Sequence, residues 1–94
     1  MSYLWDPQKR LSNIEKHHID FIDAVLVLED EFALTIEVDN PSHNEKRFVT
    51  VGADPENRVL TLVYTYRGQN IRIISARRAS KAERRQYEEV NHER

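Results

Sequence analysis

The spacing of apolar side chains predicts helices in the first third of the chain. Asp6-Pro7 marks a helix start, because aspartate accepts hydrogen bonds from the free amides of a first turn and proline fits that turn. We therefore expect a helix over Pro7–His17. Apolar residues then recur at helical spacing, at Phe21, Ala24, Val25 and Leu28. They predict a second, short helix that opens at Asp20 and ends at Glu29-Asp30-Glu31.

From Phe32 onward apolar and polar residues alternate, which indicates strands. Four strands are expected, near Phe32–Glu37, Arg47–Gly52, Val59–Tyr66 and Ile71–Arg77. A polar loop over Asp39–Glu45 and turns at Asp54–Asn57 and Gly68 separate them. Ser2–Trp5 is short and amphipathic, which is compatible with a first edge strand or with the entry to the first helix.

The last segment begins with a helix-capping pattern. Ser80 and Glu83 have the spacing of a capping box, so a C-terminal helix is expected from this point. The order of elements predicts an α+β fold, in which two N-terminal helices pack on an antiparallel sheet of about four strands and a C-terminal helix follows. We expect one domain over residues 1–94.

The last expected strand carries two arginines whose spacing limits the surface that they can form. Ile71 and Ile73 share one face of this strand, so Arg72 lies on the opposite face, where a ligand can reach it. Residues five positions apart point to opposite faces of a regular strand. Arg72 and Arg77 therefore line one surface only if a bulge or the end of the strand re-aims Arg77.

Charge is distributed unevenly along the chain, although the formal net charge is only −2. Residues 1–57 carry a balance of −7, whereas residues 58–85 carry +7. The stretch Tyr64–Tyr87 holds seven of the 14 lysines and arginines and one acid, Glu83. Such a block indicates an anionic partner. It is equally compatible with a solvated basic hairpin that is balanced by the acidic half of the chain.

Residue types that are missing disfavour several classes of protein. The sequence has no cysteine, which excludes disulfides and thiolate metal sites. Its four histidines include no i, i+4 pair, and its two glycines form no phosphate loop, so we expect no metal and no cofactor. No apolar run approaches the roughly 18 residues of a membrane span, and the N-terminus lacks the apolar region of a signal peptide. We expect a cytoplasmic protein without a membrane partner.

Arginine, histidine, lysine and tyrosine remain as the residues that can carry chemistry. Arginines bind phosphate bidentately and stabilise negative charge that develops on it. In RNA cleavage without a metal, the 2′-hydroxyl attacks its own phosphate, which also requires a base and an acid, and histidine suits both roles. His17 is the best candidate. It borders a polar stripe of the first helix, formed by Lys9, Asn13 and Lys16. Alternatively, His17 is a helix cap or a surface residue and the stripe is a solvated face.

Three segments combine into a pattern that is specific enough to indicate a family. They read WDPQKRLSNIEKH, KRFVTVG and VYTYRGQNIRIISARRASKAERRQYEE. Together, over residues 3–89, they resemble the BrnT family, which consists of small bacterial toxins of type II toxin–antitoxin modules. The resemblance implies a RelE-like fold, ribonuclease activity that stops translation, and a cognate antitoxin, BrnA, that covers the toxin and contributes DNA binding for autoregulation.

The resemblance also implies roles for individual residues. Proton transfer and stabilisation of the reacting phosphate are implied for His17, Arg67, Arg77 and Tyr87. RNA binding is implied for Lys9, Asn13, Lys16, Arg47, Arg72 and Arg84. One position departs from the family, because His18 stands where the family usually has glycine, which would close the helix in a left-handed conformation.

The predicted function is therefore a metal-independent endoribonuclease toxin that inhibits translation and is neutralised by a BrnA-like antitoxin. Operator DNA would be contacted only through the toxin–antitoxin complex. The same residues are compatible with a protein of another class, a non-catalytic basic module that binds nucleic acid or an acidic protein partner without cleaving it.

Overall fold

The predicted helices and strands are present, in a computed structural model that describes residues 2–40 and 44–92. The helices are α1 (Pro7–His17), α2 (Phe21–Ala24), which continues as a 3₁₀ helix (Val25–Glu29), and α3 (Lys81–His92). The strands are β1 (Tyr3–Leu4), β2 (Leu34–Asn40), β3 (Glu45–Ala53), β4 (Val59–Arg67) and β5 (Asn70–Arg78). β2 and β3 extend into the predicted Asp39–Glu45 loop, of which residues 41–43 lie outside the described part of the chain.

The five strands form one sheet in the order β1-β5-β4-β3-β2. The four longer strands are antiparallel to their neighbours, but β1 is parallel to β5, with Tyr3 beside Ile71 and Leu4 beside Arg72. The prediction of an antiparallel four-stranded sheet is therefore wrong, since the sheet is mixed and has five strands. A two-residue strand is too short to show the alternation from which strands are predicted. It is held by its backbone, because the N–H of Ile71 donates to the carbonyl of Ser2 at 2.9 Å.

α1 lies along the edge of β5 and not on a face of the sheet, which corrects the predicted placement of the first helix. Along α1, all of which the structure describes, Asn13 is the only buried residue. Leu11, expected on its apolar side, is 60% exposed. The apolar cover of the sheet comes instead from α2 and the 3₁₀ helix. Because of this placement and the mixed sheet, the RelE-like arrangement implied by the resemblance does not fit in detail.

The face of the sheet beneath α2 and the 3₁₀ helix is the core face. Its buried apolar side chains come from β4 and β5, namely Leu60, Leu62, Tyr64, Ile71, Ile73 and Ala76. Phe21 of α2 and Val27 of the 3₁₀ helix pack against them and are fully buried. Gly52 of β3 permits the close approach, because a Cβ there would lie 3.0 Å from the Cβ of Ala33 and 3.1 Å from the carbonyl oxygen of Val27.

The opposite face is the open face, and a β-bulge decides which residues of β5 belong to it. Tyr64 of β4 pairs with Ile73, whereas its neighbour Val63 pairs with Ser75. Ile74 is therefore an extra residue in β5. A bulge of this kind reverses the alternation of side chains along the rest of the strand.

As a result of the bulge, Arg72 and Arg77 lie on the same face. Arg72 pairs with Thr65 and Arg77 pairs with Thr61. Side chains alternate along β4 and Leu62 points to the core face, so both threonines, at odd separations from Leu62, point to the open face. Ala76 joins the core face, where it is fully buried. The structure therefore meets the condition that the sequence set for these two arginines to share a surface.

α3 packs across one end of the open face and confirms the predicted capping box. The backbone N–H of Ser80 donates to Oε1 of Glu83 at 2.8 Å, and the N–H of Glu83 donates to Oγ of Ser80 at 3.1 Å. The Oγ1 of Thr61 donates to the same carboxylate at 3.0 Å. Farther along α3, the hydroxyl of Tyr87 donates to Oδ2 of Asp30. Polar contacts at both positions thus hold a helix that has few apolar residues.

The end of α1 holds a non-glycine residue in a strained backbone conformation. His18 adopts φ 59° and ψ 28°, a left-handed conformation, and its N–H donates to the carbonyl of Ile14 at 2.8 Å. This conformation costs a non-glycine residue about 1–3 kcal/mol, whereas glycine adopts it freely.

We expect His18→Gly to raise the free energy of unfolding by about 0.5 kcal/mol, after the greater freedom of glycine in the unfolded chain is deducted. Urea denaturation measures the change. Asn57→Gly is the matched control, since Asn57 has φ 64° but asparagine tolerates that region, and its effect should be smaller. A destabilised His18→Gly variant would contradict the argument.

Candidate functional site

Four of the predicted site residues share the open face. These open-face arginines are Arg47 on β3, Arg67 on β4, and Arg72 and Arg77 on β5. Arg67 lies two residues after Thr65, which faces this side. Arg47 lies two residues before Val49, which pairs with Val63 on the same face. Side chains two positions apart on a strand point to the same side of the sheet, so all four arginines contribute positive charge to one surface.

Two glutamates balance part of this charge. Oε2 of Glu45 lies 3.5 Å from Nη2 of Arg67, and its Oε1 lies 4.0 Å from Nε of Arg47. Glu83 pairs with Arg77. Within the described part of the chain no ion pair involves Arg72. Arg72 is therefore the open-face arginine whose charge is least compensated.

A groove between α1 and β5 brings together four further predicted residues. It encloses about 200 Å³, and its polar lining consists of Lys9, Ser12, Asn13, Lys16, His17 and Ser75. The groove opens beside the bulge, since Ile74 also lines it. Ser75 lies on the open face between Arg72 and Arg77, so the groove adjoins the open-face arginines. The side chain of His17 is exposed and makes no hydrogen bond or ion pair with the described residues.

Asn13 occupies the floor of this groove and holds α1 against the sheet. Its Nδ2 donates to the carbonyls of Ala76 at 2.7 Å and Ile19 at 2.9 Å, and its Oδ1 accepts from the N–H of Ala76 at 3.1 Å. The amide thus pairs with β5 in the way that a neighbouring strand would. Asn13 is only 6% exposed. RNA contact by Asn13 stays a prediction, and its observed contacts are all within the protein.

Arg77 is held by the most connected carboxylate on the open face. Its Nη1 and Nη2 donate to the two oxygens of Glu83 at 2.7 and 3.0 Å. The hydrogen bonds from Arg77 lower the pKa of Glu83 to about 2, against the effect of burial and with help from the Ser80 N–H and the Thr61 hydroxyl. Glu83 therefore stays ionised at neutral pH, and the guanidinium of Arg77 has a fixed orientation.

The low pKa of Glu83 predicts an acid-dependent contribution to stability. A carboxylate with a depressed pKa stabilises the fold above its unfolded pKa, near 4.5, and this contribution is lost as the pH falls toward 2. Because the Arg77 side chain is 40% exposed, solvent screens the pair and we expect about 1–2 kcal/mol. Glu83→Gln should lose this amount at pH 7 and little at pH 2, as measured by urea denaturation across that range.

The control for this variant is Glu88→Gln on the same helix. Glu88 pairs with Arg84 at 3.1 Å, but both side chains are more than half exposed, at 60% and 56%. Exposed pairs at i, i+4 on a helix contribute about 0.3–0.5 kcal/mol. An equal loss in the two variants, or a loss in Glu83→Gln that does not depend on pH, would contradict the assignment.

Tyr87 lies apart from the groove and is engaged with Asp30. Burial, together with the hydrogen bond to Asp30 and its negative charge, raises the pKa of Tyr87 to about 12. Burial also raises the pKa of Asp30, but hydrogen bonds from the Ala53 N–H, the Tyr87 hydroxyl and the Phe32 N–H outweigh it, so the net shift is downward. Asp30 is thus an ionised acceptor, and the phenol of Tyr87 keeps its proton at neutral pH.

The remaining predicted residue, Arg84, is exposed on α3, where its Nε contacts Glu88. No described contact joins it to the groove. Conversely, the sequence prediction missed Ser12 and Ser75 of the groove and Thr61 beneath Glu83. Ser12 and Ser75 lie inside the segments that resemble the family, so a signal for both was present. Thr61 lies outside those segments and carries no signal of its own, because threonine is common in ordinary strands.

The described residues show neither a metal site nor a membrane-spanning helix. No cluster of three or more histidine, cysteine or acidic side chains within residues 2–40 and 44–92 has the arrangement of a metal site. Over the same residues, no helix combines the length and apolar character needed to cross a membrane.

Comparison with known proteins places this arrangement in a family. The family model described as "Ribonuclease toxin, BrnT, of type II toxin-antitoxin system" matches residues 5–83. The crystal structure of the Brucella abortus ribonuclease toxin BrnT is similar, with a TM-score of 0.69 and 26% sequence identity over 86% of this chain and 99% of that chain. The search of curated proteins gave no significant match. Because the family model covers most of its length, the chain belongs to the BrnT family of ribonuclease toxins of type II toxin–antitoxin systems.

Proposed function

We propose that this protein is a metal-independent endoribonuclease that inhibits translation by cleaving RNA in the groove between α1 and β5. The observation that supports it is the groove itself, where His17 and two lysines adjoin the open-face arginines. In the proposed reaction the 2′-hydroxyl loses its proton, its oxygen bonds to the adjacent phosphorus, and the bond from phosphorus to the 5′-oxygen breaks. That 5′-oxygen takes up a proton, which leaves a 2′,3′-cyclic phosphate and a 5′-hydroxyl.

His17 is assigned to proton transfer in this reaction. Its imidazole is exposed in the groove and makes no competing hydrogen bond with the described residues. Histidine can both accept and donate a proton near neutral pH. Tyr87 is the weaker candidate for a base, because its pKa is raised to about 12 and its hydroxyl already donates to Asp30. Tyr87 instead supports the position of α3.

The cationic side chains are assigned to the phosphates. Lys9 and Lys16 lie in the groove and would contact the reacting phosphate or its neighbour. Arg72 has no ion pair within the described residues, so it can bind a phosphate without first breaking an ion pair. Arg67 must exchange part of its contact with Glu45, at 3.5 Å, for RNA. Cations placed beforehand around a phosphate stabilise the charge that grows on it during attack.

The cognate antitoxin is proposed to be BrnA-like and to supply the operator-DNA binding of the complex. Its inhibitory segment should carry acidic residues, or an amphipathic helix, that cover the open-face arginines. Co-expression with the product of the adjacent reading frame, followed by size-exclusion chromatography, tests this. Failure of that product to form a complex and to protect RNA would contradict the assignment.

The proposed activity is tested with purified full-length protein and messenger RNA in the presence of EDTA. Cleavage is expected, and the new 3′ ends should be cyclic phosphates, which resist ligation until they are opened. Activity that requires added Mg²⁺ would overturn the metal-independent mechanism. RNA that stays intact under both conditions would overturn the proposed activity of the free protein.

A second candidate, the non-catalytic binding module, is favoured by one observation. Three of the four open-face arginines already contact glutamates, so this surface accepts the carboxylates that an acidic protein partner would present. The two candidates differ in what Arg72→Ala does to growth arrest on expression. Loss of arrest at unchanged protein level, together with loss of RNA cleavage, supports the enzyme. An unchanged phenotype, with RNA bound but never cleaved, supports the binding module.

A further inference from the structure

A second pocket lies on the core face, away from the open-face arginines. It encloses about 370 Å³, within the range of roughly 300–1,000 Å³ that is usual for small-ligand sites. Leu28 of the 3₁₀ helix forms one border, so the pocket is the end of the core face that the helices leave uncovered. We call it the tyrosine pocket, after a lining that includes Tyr3, Asp30, Thr35, Thr50, Tyr64 and Tyr66.

The rim of the tyrosine pocket presents two exposed aromatic rings, one of which packs against neighbouring rings. Tyr3 is 41% and Tyr66 is 48% exposed. The ring of Tyr66 packs edge-on against Phe48, with centroids 5.1 Å apart, and against Tyr64, with centroids 6.1 Å apart. A ring held in this way offers an apolar face and loses little freedom when a planar ligand stacks on it.

The floor of the pocket is a chain of three hydroxyls. Oγ1 of Thr50 lies 2.8 Å from Oγ1 of Thr35 and 2.8 Å from the hydroxyl oxygen of Tyr64. Two hydrogen bonds use two of the three hydroxyl protons, so one hydroxyl keeps a free donor. Tyr64 is only 4% and Thr50 only 1% exposed, and a buried unpaired donor is costly. The favourable direction therefore runs from Tyr64 through Thr50 and leaves the donor on the exposed Thr35.

The third feature of the pocket is the carboxylate of Asp30. Its Oδ2 accepts from the Ala53 N–H and the Tyr87 hydroxyl, whereas its Oδ1 accepts only from the Phe32 N–H, at 3.0 Å, among the described residues. Oδ1 thus has room for one more hydrogen bond. A fixed negative charge repels phosphate, so the pocket suits an uncharged ligand that donates to Asp30 and accepts from Thr35.

We propose that the tyrosine pocket binds one unpaired nucleobase of the RNA. A nucleobase is planar and uncharged, stacks on tyrosine, and carries donors and acceptors along one edge. Tyr66 and Arg67 are adjacent residues of β4 that face opposite sides of the sheet. An RNA strand whose phosphate contacts Arg67 can therefore turn around the β4–β5 hairpin and place a base against Tyr66. The inference rests on the proposed function and adds a contact that can select sequence.

The test compares two uncleavable probes of equal charge, a 2′-O-methyl RNA hexamer and the same backbone without bases. Fluorescence anisotropy with the full-length protein should show tighter binding of the hexamer with bases, by at least about fivefold, the lower limit for one stacked base. Tyr66→Ala should abolish the preference, and Thr35→Val should reduce it. Tyr66→Phe, which keeps the ring, is the matched control and should retain it. Binding of the base-free probe should stay unchanged in all three variants.

The outcomes separate this inference from the proposed function. Equal affinity of the wild-type protein for both probes would overturn the nucleobase site and leave RNA binding intact. A preference that survives Tyr66→Ala, with the fold verified by circular dichroism, would overturn the tyrosine pocket as its location. Binding of neither probe would overturn both proposals together.

Discussion

Replacing His17 by alanine is expected to lower the rate of RNA cleavage by about 10²–10⁴, the usual contribution of a general base. The free energy of unfolding should change by less than about 1 kcal/mol, because the His17 side chain is exposed and makes no hydrogen bond or ion pair with the described residues. Single-turnover cleavage of a short RNA in EDTA measures the first quantity, and urea denaturation measures the second.

Lys81→Ala is the control for this variant, since Lys81 is an exposed cation at the start of α3, outside the groove and the open-face arginines. Its cleavage rate should match that of the wild-type protein. A folded His17→Ala variant with an unchanged rate would contradict the role of His17. Arg77→Ala is a less informative choice, because it also removes both hydrogen bonds to Glu83 and so mixes catalysis with folding.

Asn13→Ala is expected to cost about 3 kcal/mol of stability. The variant loses three buried hydrogen bonds and leaves the N–H of Ala76 and the carbonyls of Ala76 and Ile19 without their partner. Each buried unsatisfied group costs about 1–3 kcal/mol, partly relieved here by relaxation at the edge of the sheet. Native domains have only about 5–15 kcal/mol in total, so a substantial shift of the urea midpoint should follow.

Ser12→Ala is the matched control, since Ser12 lies next to Asn13 on α1 and is only half-buried. It should change the free energy of unfolding by less than about 0.5 kcal/mol. A small effect of Asn13→Ala would mean that water or a shifted α1 replaces the amide. In that case Asn13 would be free to act in RNA binding, as the sequence pattern indicated.

Local patterns in the sequence were sufficient for the longer elements. Asp6 caps α1 as expected, with its carboxylate accepting from the N–H of Gln8 at 2.8 Å. The capping box of Ser80 and Glu83 likewise marks the start of α3. These signals act within one helical turn, so they can be recognised without knowledge of the fold. The placement of α1 could not be recognised in this way, because it depends on a hydrogen bond from Asn13 to Ala76, a residue 63 positions away.

Residues of the candidate site could be named from the sequence, but their arrangement could not. Lys9, Asn13, Lys16 and His17 form one polar stripe along α1, and the resemblance implied that they belong to one site. In the structure the lysines and His17 line the groove walls, while Asn13 turns inward to the backbone of β5. The spacing of the stripe cannot show this difference, since asparagine is equally suited to solvent and to a buried pairing. The alternation along β5 likewise assumed a regular strand and could not reveal the bulge.

The bulge in β5 makes the surface of this protein depend on how that strand pairs with β4. If every residue stayed and the strand paired regularly through Ile74, all later side chains would exchange sides, so that Arg77 would point among the apolar side chains and Ala76 would leave the core. Deleting Ile74 has the opposite consequence. Ile73 would then be followed directly by Ser75, and the regular strand that results would keep Ser75, Ala76 and Arg77 on their present faces. Among related chains, a β5 strand that is one residue shorter at this point should therefore present the same two faces.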